Sequence, residues 1–440
     1  MFNNFNKEQK RVLLIARKDT AAQTAGILQR LGVVVLTADH LKAAAKLIRR
    51  SHGVIFHCED FQKGEFFDLF RRSRKKFMVV ASTVDTKIVR QAYHAGAKDC
   101  VFLPYNLREF ILRFNAFIQN KVRIACIGGG TGLFTVLMGI KTISGVMITS
   151  IVSMSDDGGS SGRLRASFGI LPPGDVRRSL VALSNAPQLM SDVLQYRFDK
   201  QGDCFAGHNF GNLFLTVLTQ LKGSMREAVN SLGDILNIQG IVLPVTDAET
   251  TLCAEFADGR VIHGESKIDL CEGRSPDLRI KNVWLEPQNL CTPAVYSAII
   301  NSDLLVIGPG DLYTSVIANL LVAGVAEAIK ESPAKKIYVC NLMTKPGETS
   351  GLTAEDHVRE IVKYLKGDCL DYCLLSNTVL SGKALADYAL KNQFPVELKD
   401  PAGLKEITSA RVILADLGHE EELVRHDSLK IKSEISRFIR

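Results

Sequence analysis

The sequence predicts an α/β protein of two domains on parallel sheets, and three observations carry that prediction. Short β-branched runs alternate with helical stretches along the chain, which is the pattern of parallel strands joined by crossover helices. Several runs end in glycine-rich turns that open directly into apolar helices, and such turns give an α/β sheet its ligand-binding edge. The 440 residues exceed one ordinary core, since a domain takes roughly 150.

The first domain, residues 1–120, contributes five strand-like runs in order, VLLIA, GVVVLTA, GVIFH, FMVVAS and DCVFL, with helical stretches between them. The helical segment LREFILRFNAFIQN closes it, and the second domain, residues 121–440, follows without a Gly/Ser/Pro-rich linker. There VRIACI, VMITSIV, DLLVIG, KIYVCN, CLLSN and RVILADL repeat the strand signal. One insertion differs: TLCAEFADGRVIHGES alternates apolar and polar residues about Asp258-Gly259 and predicts an antiparallel hairpin.

With 46% hydrophobic and 23% charged residues the chain is of globular type, which excludes a disordered, collagenous or mucin-like protein. Its formal charge of +7 divides unevenly: residues 1–120 hold 21 Lys/Arg against 10 Asp/Glu, and the remainder holds 33 against 37. The basic excess therefore belongs to one module, and nucleic acid is not an expected partner. Its sharpest cluster, Arg71, Arg72, Arg74, Lys75 and Lys76, reads as a solvated face before it reads as a docking site. Ten cysteines are scattered with no CxxC, several of them, such as Cys126 and Cys340, inside apolar runs. A reducing cytoplasm and no zinc site are expected. The first apolar stretch is short before Arg17, and the run from Ile124 to Ile140 is broken by glycines, so neither a secretory signal nor a membrane span is expected.

The first domain resembles a response-regulator receiver, a flavodoxin-like fold, through its element order and the segment AYHAGAKDCVFLPYNLREF, which is similar to that family's fourth helix and fifth strand. The family's chemistry is missing. Ala16 and Arg17 stand where receivers carry an acidic pair for magnesium, His57 stands at the phosphoacceptor position, and Leu103 replaces the lysine before Pro104. Ser82 suits the hydroxyl position, but a hard cation needs oxygen ligands and meets a guanidinium instead. A degenerate receiver that is not phosphorylated is expected.

Six constellations in the second domain carry chemistry. The strand Ile124–Ile127 runs into Gly128, Gly129, Gly130, Thr131 and Gly132 and then an apolar helix, which lets phosphate oxygens approach backbone N–H groups at the helix's positive end. The match is neither a P-loop nor a strict GxGxxG, because Phe134 occupies the small third position. A turn that needs glycine only for its backbone angles is the plainer alternative. Next, SDDGGSSGRLR places Asp156 and Asp157 beside Arg163 and Arg165 after a strand; two acids can hold Mg²⁺ or a ribose, and arginines suit phosphate. Third comes PPGDVRR with Asp175. In GHNFGNL, Asn209 and Asn212 could read a base or sugar or could cap the following helix. His208 alone is more often structural, and no nucleophile–base couple stands out. Finally IGPGDLYTS, with Gly308, Gly310 and Asp311, and NLMTKPGET each follow a strand. Three glycine-bearing turns after three strands predict one cleft.

Taken together, GGGTG, SDDGGSSGRLR, PPGD, GHNFGNL, PVT, GES, GPG with LYTS, and the NLMT-PGET-DHV series resemble the YvcK-like gluconeogenesis factor group, over residues 121 to about 430. These are bacterial relatives of the 2-phospho-L-lactate transferase fold. The resemblance implies a Rossmann-like three-layer α/β domain of that type binding a nucleotide sugar, UDP-N-acetylglucosamine foremost. It implies a cytoplasmic regulator of carbon flow into cell-wall precursors and of cell shape, acting through a partner enzyme of amino-sugar or cell-wall precursor synthesis and requiring no cofactor. A homo-oligomer is expected. The transferase cousins move a phospholactyl group from a guanosine-nucleotide donor onto a deazaflavin with magnesium, so a Mg²⁺-dependent transferase is the alternative, with Asp156 and Asp157 as metal ligands. The family's tyrosine before a PV segment and its RHD arginine match Tyr388, ahead of Pro395-Val396, and Arg425. On the regulatory reading no residue is catalytic: Asp156 and Asp157 hold a metal or sugar hydroxyls, the glycine turns hold phosphates, Asn209 and Asn212 hold polar edges, and Tyr388 and Arg425 hold the distal nucleotide portion. The chain departs from the family pattern at Asp311 for Ser, Arg178 for Asn, Ala318 for Pro and Lys345 for Gln. These changes add charge around the cleft.

Overall fold

The computed structural model describes residues 10–60, 63–82, 85–104, 106–199, 205–271 and 273–439; Cys204, one of the ten cysteines, lies outside them. The chain divides into one unit of Met1–Lys121 with Tyr296–Asn301 and a second of Val122–Val295 with Ser302–Arg440.

The first unit runs β1 (Arg11–Ile15), α1 (Lys18–Arg30), β2 (Val34–Ala38), α2 (Leu41–Leu47), β3 (Gly53–His57), α3 (Lys63–Ser73), β4 (Phe77–Ala81), α4 (Thr86–His94), β5 (Asp99–Phe102) and α5 (Leu107–Gln119). Its strands pair in the order β2-β1-β3-β4-β5, all parallel, the flavodoxin-like winding. Each predicted run is a strand. Two apolar groupings hold the sheet: Val12, Leu14, Ile55, Met78 and Val80 pack with Leu28 of α1 and Phe110, Phe114 and Phe117 of α5. Phe56 and Phe77 pack against Phe66 and Phe70 of α3. A side-chain cap starts α4, where Asp85 accepts the Lys87 N–H, and another starts α5, where Asn106 accepts the Glu109 N–H. Arg113 is fully buried between Asp99 at 3.0 Å and Glu109 at 2.9 Å; removing one partner of such a set costs about 3–5 kcal/mol. His57, at the receiver's phosphoacceptor position, is buried with Nε2 3.1 Å from Thr24 Oγ1.

The second unit contributes β6 (Val122–Gly128), β7 (Val146–Val152), β8 (Ile241–Pro244), β9 (Thr251–Phe256), β10 (Val261–His263), β11 (Ile280–Glu286), β12 (Leu304–Ile307), β13 (Lys335–Val339), β14 (Tyr372–Ser376), β15 (Arg411–Ala415), β16 (Gly418–Glu420) and β17 (Val424–His426). Seven form one sheet in the order β15-β14-β13-β12-β6-β7-β8. All six predicted runs lie in it. Leu304–Ile307 of β12 are buried throughout, as in parallel sheets covered on both faces. From β6 the chain goes to β7 and β8 on one side and later to β12 on the other, so the winding reverses between β6 and β12. Ligands bind such sheets outside the strand carboxyl ends at that switch point. The predicted hairpin is β9–β10, with β11 added to make a three-stranded antiparallel sheet.

Seven helices of this unit matter for the site: α6 (Gly130–Ile140), α7 (Gly159–Phe168), α8 (Gly174–Leu183), α9 (Gln188–Gln195), α10 (Phe210–Lys222), α11 (Met225–Ile235) and α12 (Glu265–Asp269). In α6 the buried residues Leu133, Val136, Leu137 and Ile140 recur at helical spacing and form the core-facing stripe. The described cysteines are all free. Among the described residues no helix is long and apolar enough to cross a membrane.

Candidate functional site

The glycine turns after β6 and β12 touch at the switch point. A Cβ on Gly132 would lie 2.7 Å from the carbonyl carbon and oxygen of Pro309, so the two turns approach as closely as only glycine allows. Gly130 adopts φ +63°, and its N–H donates to Asp175 Oδ1 at 3.0 Å. Asp175, in the first turn of α8, thus places a carboxylate on the amino end of α6, where the helix dipole favours negative charge. The second turn repeats the arrangement. Glu348 accepts the Tyr313 N–H at 3.1 Å, the Thr314 N–H at 3.4 Å and the Thr314 hydroxyl at 2.9 Å, at the start of the helix Leu312–Ile317. Both turns expected to receive phosphate therefore already direct amides at a carboxylate of the protein. Nothing local in GGGTG or GPGD announces this, because Asp175 and Glu348 are 45 and 34 residues away in sequence.

Three cavities line the strand carboxyl ends. The first, about 310 Å³, is bordered by Gly130, Asp156, Asp175, Asn212 and Asp311, and also by Arg177, Arg178, Arg197, Glu265 and Asp269. The second, about 180 Å³, is bordered by Thr131, Gly132, Gly310, Asp311, Asn341 and Arg425. The third, about 320 Å³, lies beside Leu342, Asn377, Thr378, Val396 and Val424. Asp311 borders the first and second, while Leu342 and Val424 border the second and third. Turns after β6, β12 and β13 meet in the second cavity, as the sequence predicts.

The predicted pair Asp156 and Asp157 diverges. Asp156 faces the first cavity and accepts the Gly158 N–H at 2.9 Å; burial, and then the neighbouring Asp175 charge, push its carboxyl up. Asp157 instead accepts the Ser266 N–H at 2.8 Å, at the start of α12, and borders none of the three cavities. Asp156 thus faces the cavity while Asp157 is spent on a backbone amide, so the two do not present a shared pair of carboxylates to a Mg²⁺ in that cavity.

The asparagines separate as well. Asn209 is spent as the cap of α10: its Oδ1 accepts the Asn212 N–H at 3.1 Å, and its Nδ2 donates to the Gln195 and Tyr196 carbonyls. Asn212 does border the first cavity, its Oδ1 accepting from Arg177 Nε at 2.9 Å. His208 lies behind, Nδ1 3.2 Å from Ser160 Oγ, its pKa lowered by burial and then by Arg163 and Arg197. Arg163 donates to the Ala206 carbonyl at 2.8 Å, and Gly128, at the end of β6, and Gly129 and Gly308, in the turns, border none of the three cavities.

Tyr388 is buried, and its hydroxyl accepts the Val424 N–H at 2.8 Å. It borders none of the three cavities; it holds β17, which carries Arg425. Arg425 is exposed and reaches the second cavity, and among the described residues its side chain has no hydrogen-bond or ion-pair partner. The next two residues of the RHD motif are structural: His426 Nε2 lies 3.1 Å from the Cys340 carbonyl, and Asp427 caps the helix Ser428–Ser436.

The two departures at Asp311 and Lys345 are partners. Lys345 Nζ lies 2.8 Å from Asp311, 3.3 Å from Glu348 and in contact with Asp269. These three carboxylates could together hold a metal ion, and the ammonium stands among them. Burial alone would lower the Lys345 pKa, but Glu348, Asp311 and Asp269 outweigh it and raise it. Burial pushes Glu348 up to about 7 even against Lys345. Burial, then Asp156, Asp269 and Glu348, push Glu265 up to about 9.

Sequence reasoning assigned no role to Arg177, Arg197, Glu265 or Asp269. Arg177 lies in PPGDVRR and Glu265 in GES, motifs that could have pointed to them; Arg197 and Asp269 carry no sequence signal. Arg177 is held down at about 10 by burial and then by Arg178 and Arg197, and Arg178 pairs with Asp175 at 3.0 Å. Three guanidiniums and several acids around one cavity can neutralise phosphate while accepting hydrogen bonds from hydroxyls.

Comparison with known proteins bears on the family and the fold. A family model described as 2-phospho-L-lactate transferase CofD matches residues 124–417. The gluconeogenesis factor of Bacillus subtilis is 40% identical over 317 residues, covering 71% of this chain and 97% of that protein. A putative gluconeogenesis factor of Clostridium acetobutylicum is 40% identical over 412 residues, 89% of this chain and 90% of that one; a match that long reaches into the first unit. The crystal structure of a UPF0052-family protein from Bacillus halodurans superposes with a TM-score of 0.68 at 40% identity, covering 72% of this chain and 99% of that chain.

Proposed function

As the chain belongs to the family of the 2-phospho-L-lactate transferase CofD, in the company of the gluconeogenesis factors, we propose that it is a regulator that binds a nucleotide sugar, UDP-N-acetylglucosamine, and does not turn it over. The observation that carries this reading is the Lys345 ammonium among Asp269, Asp311 and Glu348. A cluster of oxygen donors suited to a divalent ion is neutralised by a tethered cation, whereas a transferase needs an exchangeable ion to bridge donor phosphates and stabilise the leaving group. The unpartnered Arg425 and the run of cavities from it to Asp156 support an extended anionic ligand. In this reading Arg425 holds the distal nucleotide portion, the turns carrying Thr131, Gly132 and Gly310 adjoin the diphosphate, and Asp156 and Asn212 bind sugar hydroxyls.

Ligand occupancy then alters the surface offered to a partner enzyme of amino-sugar or cell-wall precursor synthesis, in the cytoplasm, and so controls carbon flow and cell shape. A ligand can shift such a protein only by its differential affinity for two states. The Mg²⁺-dependent transferase is supported by Asp156 and Asp175 bordering one cavity, but Asp157 is committed elsewhere. The test is to incubate the protein with UDP-N-acetylglucosamine, with and without Mg²⁺, and follow the nucleotide by chromatography while measuring saturable binding. Binding with an unchanged nucleotide supports the regulator; release of a uridine nucleotide supports the transferase.

A further inference from the structure

The antiparallel insertion carries a second cluster that the nucleotide-sugar reading does not use. Strand register sets His263 directly opposite Cys253 across β9–β10. On the other side of β9, Trp284 faces Cys253 and Glu286 faces Thr251, so Glu286 is the diagonal neighbour of Cys253 on the same face. Cys253 is fully buried, whereas His263 and Glu286 are exposed. Cys253 Sγ lies 3.1 Å from His263 Nδ1, and the same nitrogen lies 3.6 Å from Glu286 Oε2.

That shared nitrogen decides between two chemistries. A thiol–imidazole–carboxylate relay needs the thiol at one ring nitrogen and the carboxylate at the other. Here both face Nδ1, so three donors converge on one point, as ligands do. We propose that Cys253, His263 and Glu286 form a zinc site. A tetrahedral ion with Zn–S near 2.3 Å and Zn–N or Zn–O near 2.0–2.1 Å separates its donors by roughly 3.3–3.6 Å; the observed 3.1 and 3.6 Å, with all three donor atoms within 4.8 Å of one another, need shifts of a few tenths of an ångström for the two measured pairs.

The donor set of thiolate, imidazole and carboxylate suits Zn²⁺ and not Mg²⁺, which takes oxygen ligands. Trp284 supplies the outer support: its Nε1–H donates to Glu286 Oε1 at 2.6 Å and leaves Oε2 toward His263, the orienting role that outer partners play at metal sites. Three protein ligands leave a fourth position for water or another donor. The absence of CxxC does not bear on this site, because three strands assemble it through register. The ion would also tie down the segment entering α12, since Glu265, which borders the first cavity, follows His263 by two residues.

The experiment is titration of the purified full-length protein with Co²⁺ and then Zn²⁺. One Co²⁺ per chain is expected, with a thiolate-to-metal charge-transfer band, tetrahedral visible bands displaced by Zn²⁺, and quenching of Trp284, the only tryptophan. Cys253→Ser should remove the thiolate band. Because Cys253 is buried and that variant could fail to fold, His263→Asn and Glu286→Gln at exposed positions provide the second test, each weakening Zn²⁺ at least tenfold. Absence of the thiolate band in the wild type, or unchanged Zn²⁺ affinity in both exposed variants, would overturn the proposal.

Discussion

Replacing Lys345 by Gln and Asp311 by Ser, singly and together, probes whether the two act as one unit. Charges 2.8 Å apart attract with about 6 kcal/mol at an effective dielectric near 20. Desolvation offsets most of that, and the Asp311 side chain is 41% exposed, so solvent screening reduces it further. A net coupling of about 1–3 kcal/mol remains, within the range for residues in one network. Lys345→Gln alone should cost most, because Glu348 stays buried without its cation. The double variant should be less destabilised than the sum of the single variants by that coupling. Urea unfolding followed by Trp284 fluorescence reads this cleanly, since the only tryptophan lies in β11 of the second unit and linear extrapolation applies to that transition. Additivity within about 0.5 kcal/mol would refute the pairing of Lys345 with Asp311.

Arg425→Ala should leave stability within about 0.5 kcal/mol of wild type, as an exposed unpartnered residue does, while weakening UDP-N-acetylglucosamine at least tenfold by calorimetry. Tyr388→Phe should move both readings together: the buried Val424 N–H loses its acceptor, costing about 1–3 kcal/mol, and β17 holds Arg425 less firmly. A loss of affinity with unchanged stability would instead mean that Tyr388 touches the ligand. For Glu265 the folded pKa of about 9 lies above the ordinary 4.5, so its contribution to stability is fully present below the unfolded value and is lost as pH rises toward the folded one. Stability should fall by about 1.4 kcal/mol per pH unit across that window from this group, and Glu265→Gln should flatten the profile measured by urea midpoints.

The sheets were legible because strand signals are local. GVIFH, FMVVAS, VRIACI and KIYVCN are β-branched runs bounded by turn residues, and each folds as read. The strand β8, with the sequence IVLP, was not, since four apolar residues show no period. The turn after β6 was also legible as a glycine-bounded strand-to-helix turn, yet what occupies its first amide was not, because Asp175 arrives from a helix wound on another part of the sheet. Asp156 and Asp157 look alike in sequence and diverge because the Ser266 N–H, 109 residues on, engages Asp157. Asn209 and Asn212 could each have been a cap; the Asn212 N–H donating to Asn209 Oδ1 settles that Asn209 is the one, and the Gln195 and Tyr196 carbonyls fix its amide from outside the helix. Asp311 and Lys345 looked like two separate additions of charge, and their mutual cancellation depends on a distance across loops that no local pattern encodes.

A nucleotide-sugar site whose cation is built in should bind its ligand without added metal. In isothermal titration of the full chain with UDP-N-acetylglucosamine, once in EDTA and once in Mg²⁺, saturable one-to-one binding with the same affinity in both buffers is expected, with the nucleotide recovered intact. Binding that requires Mg²⁺, or no binding in either buffer, would contradict it.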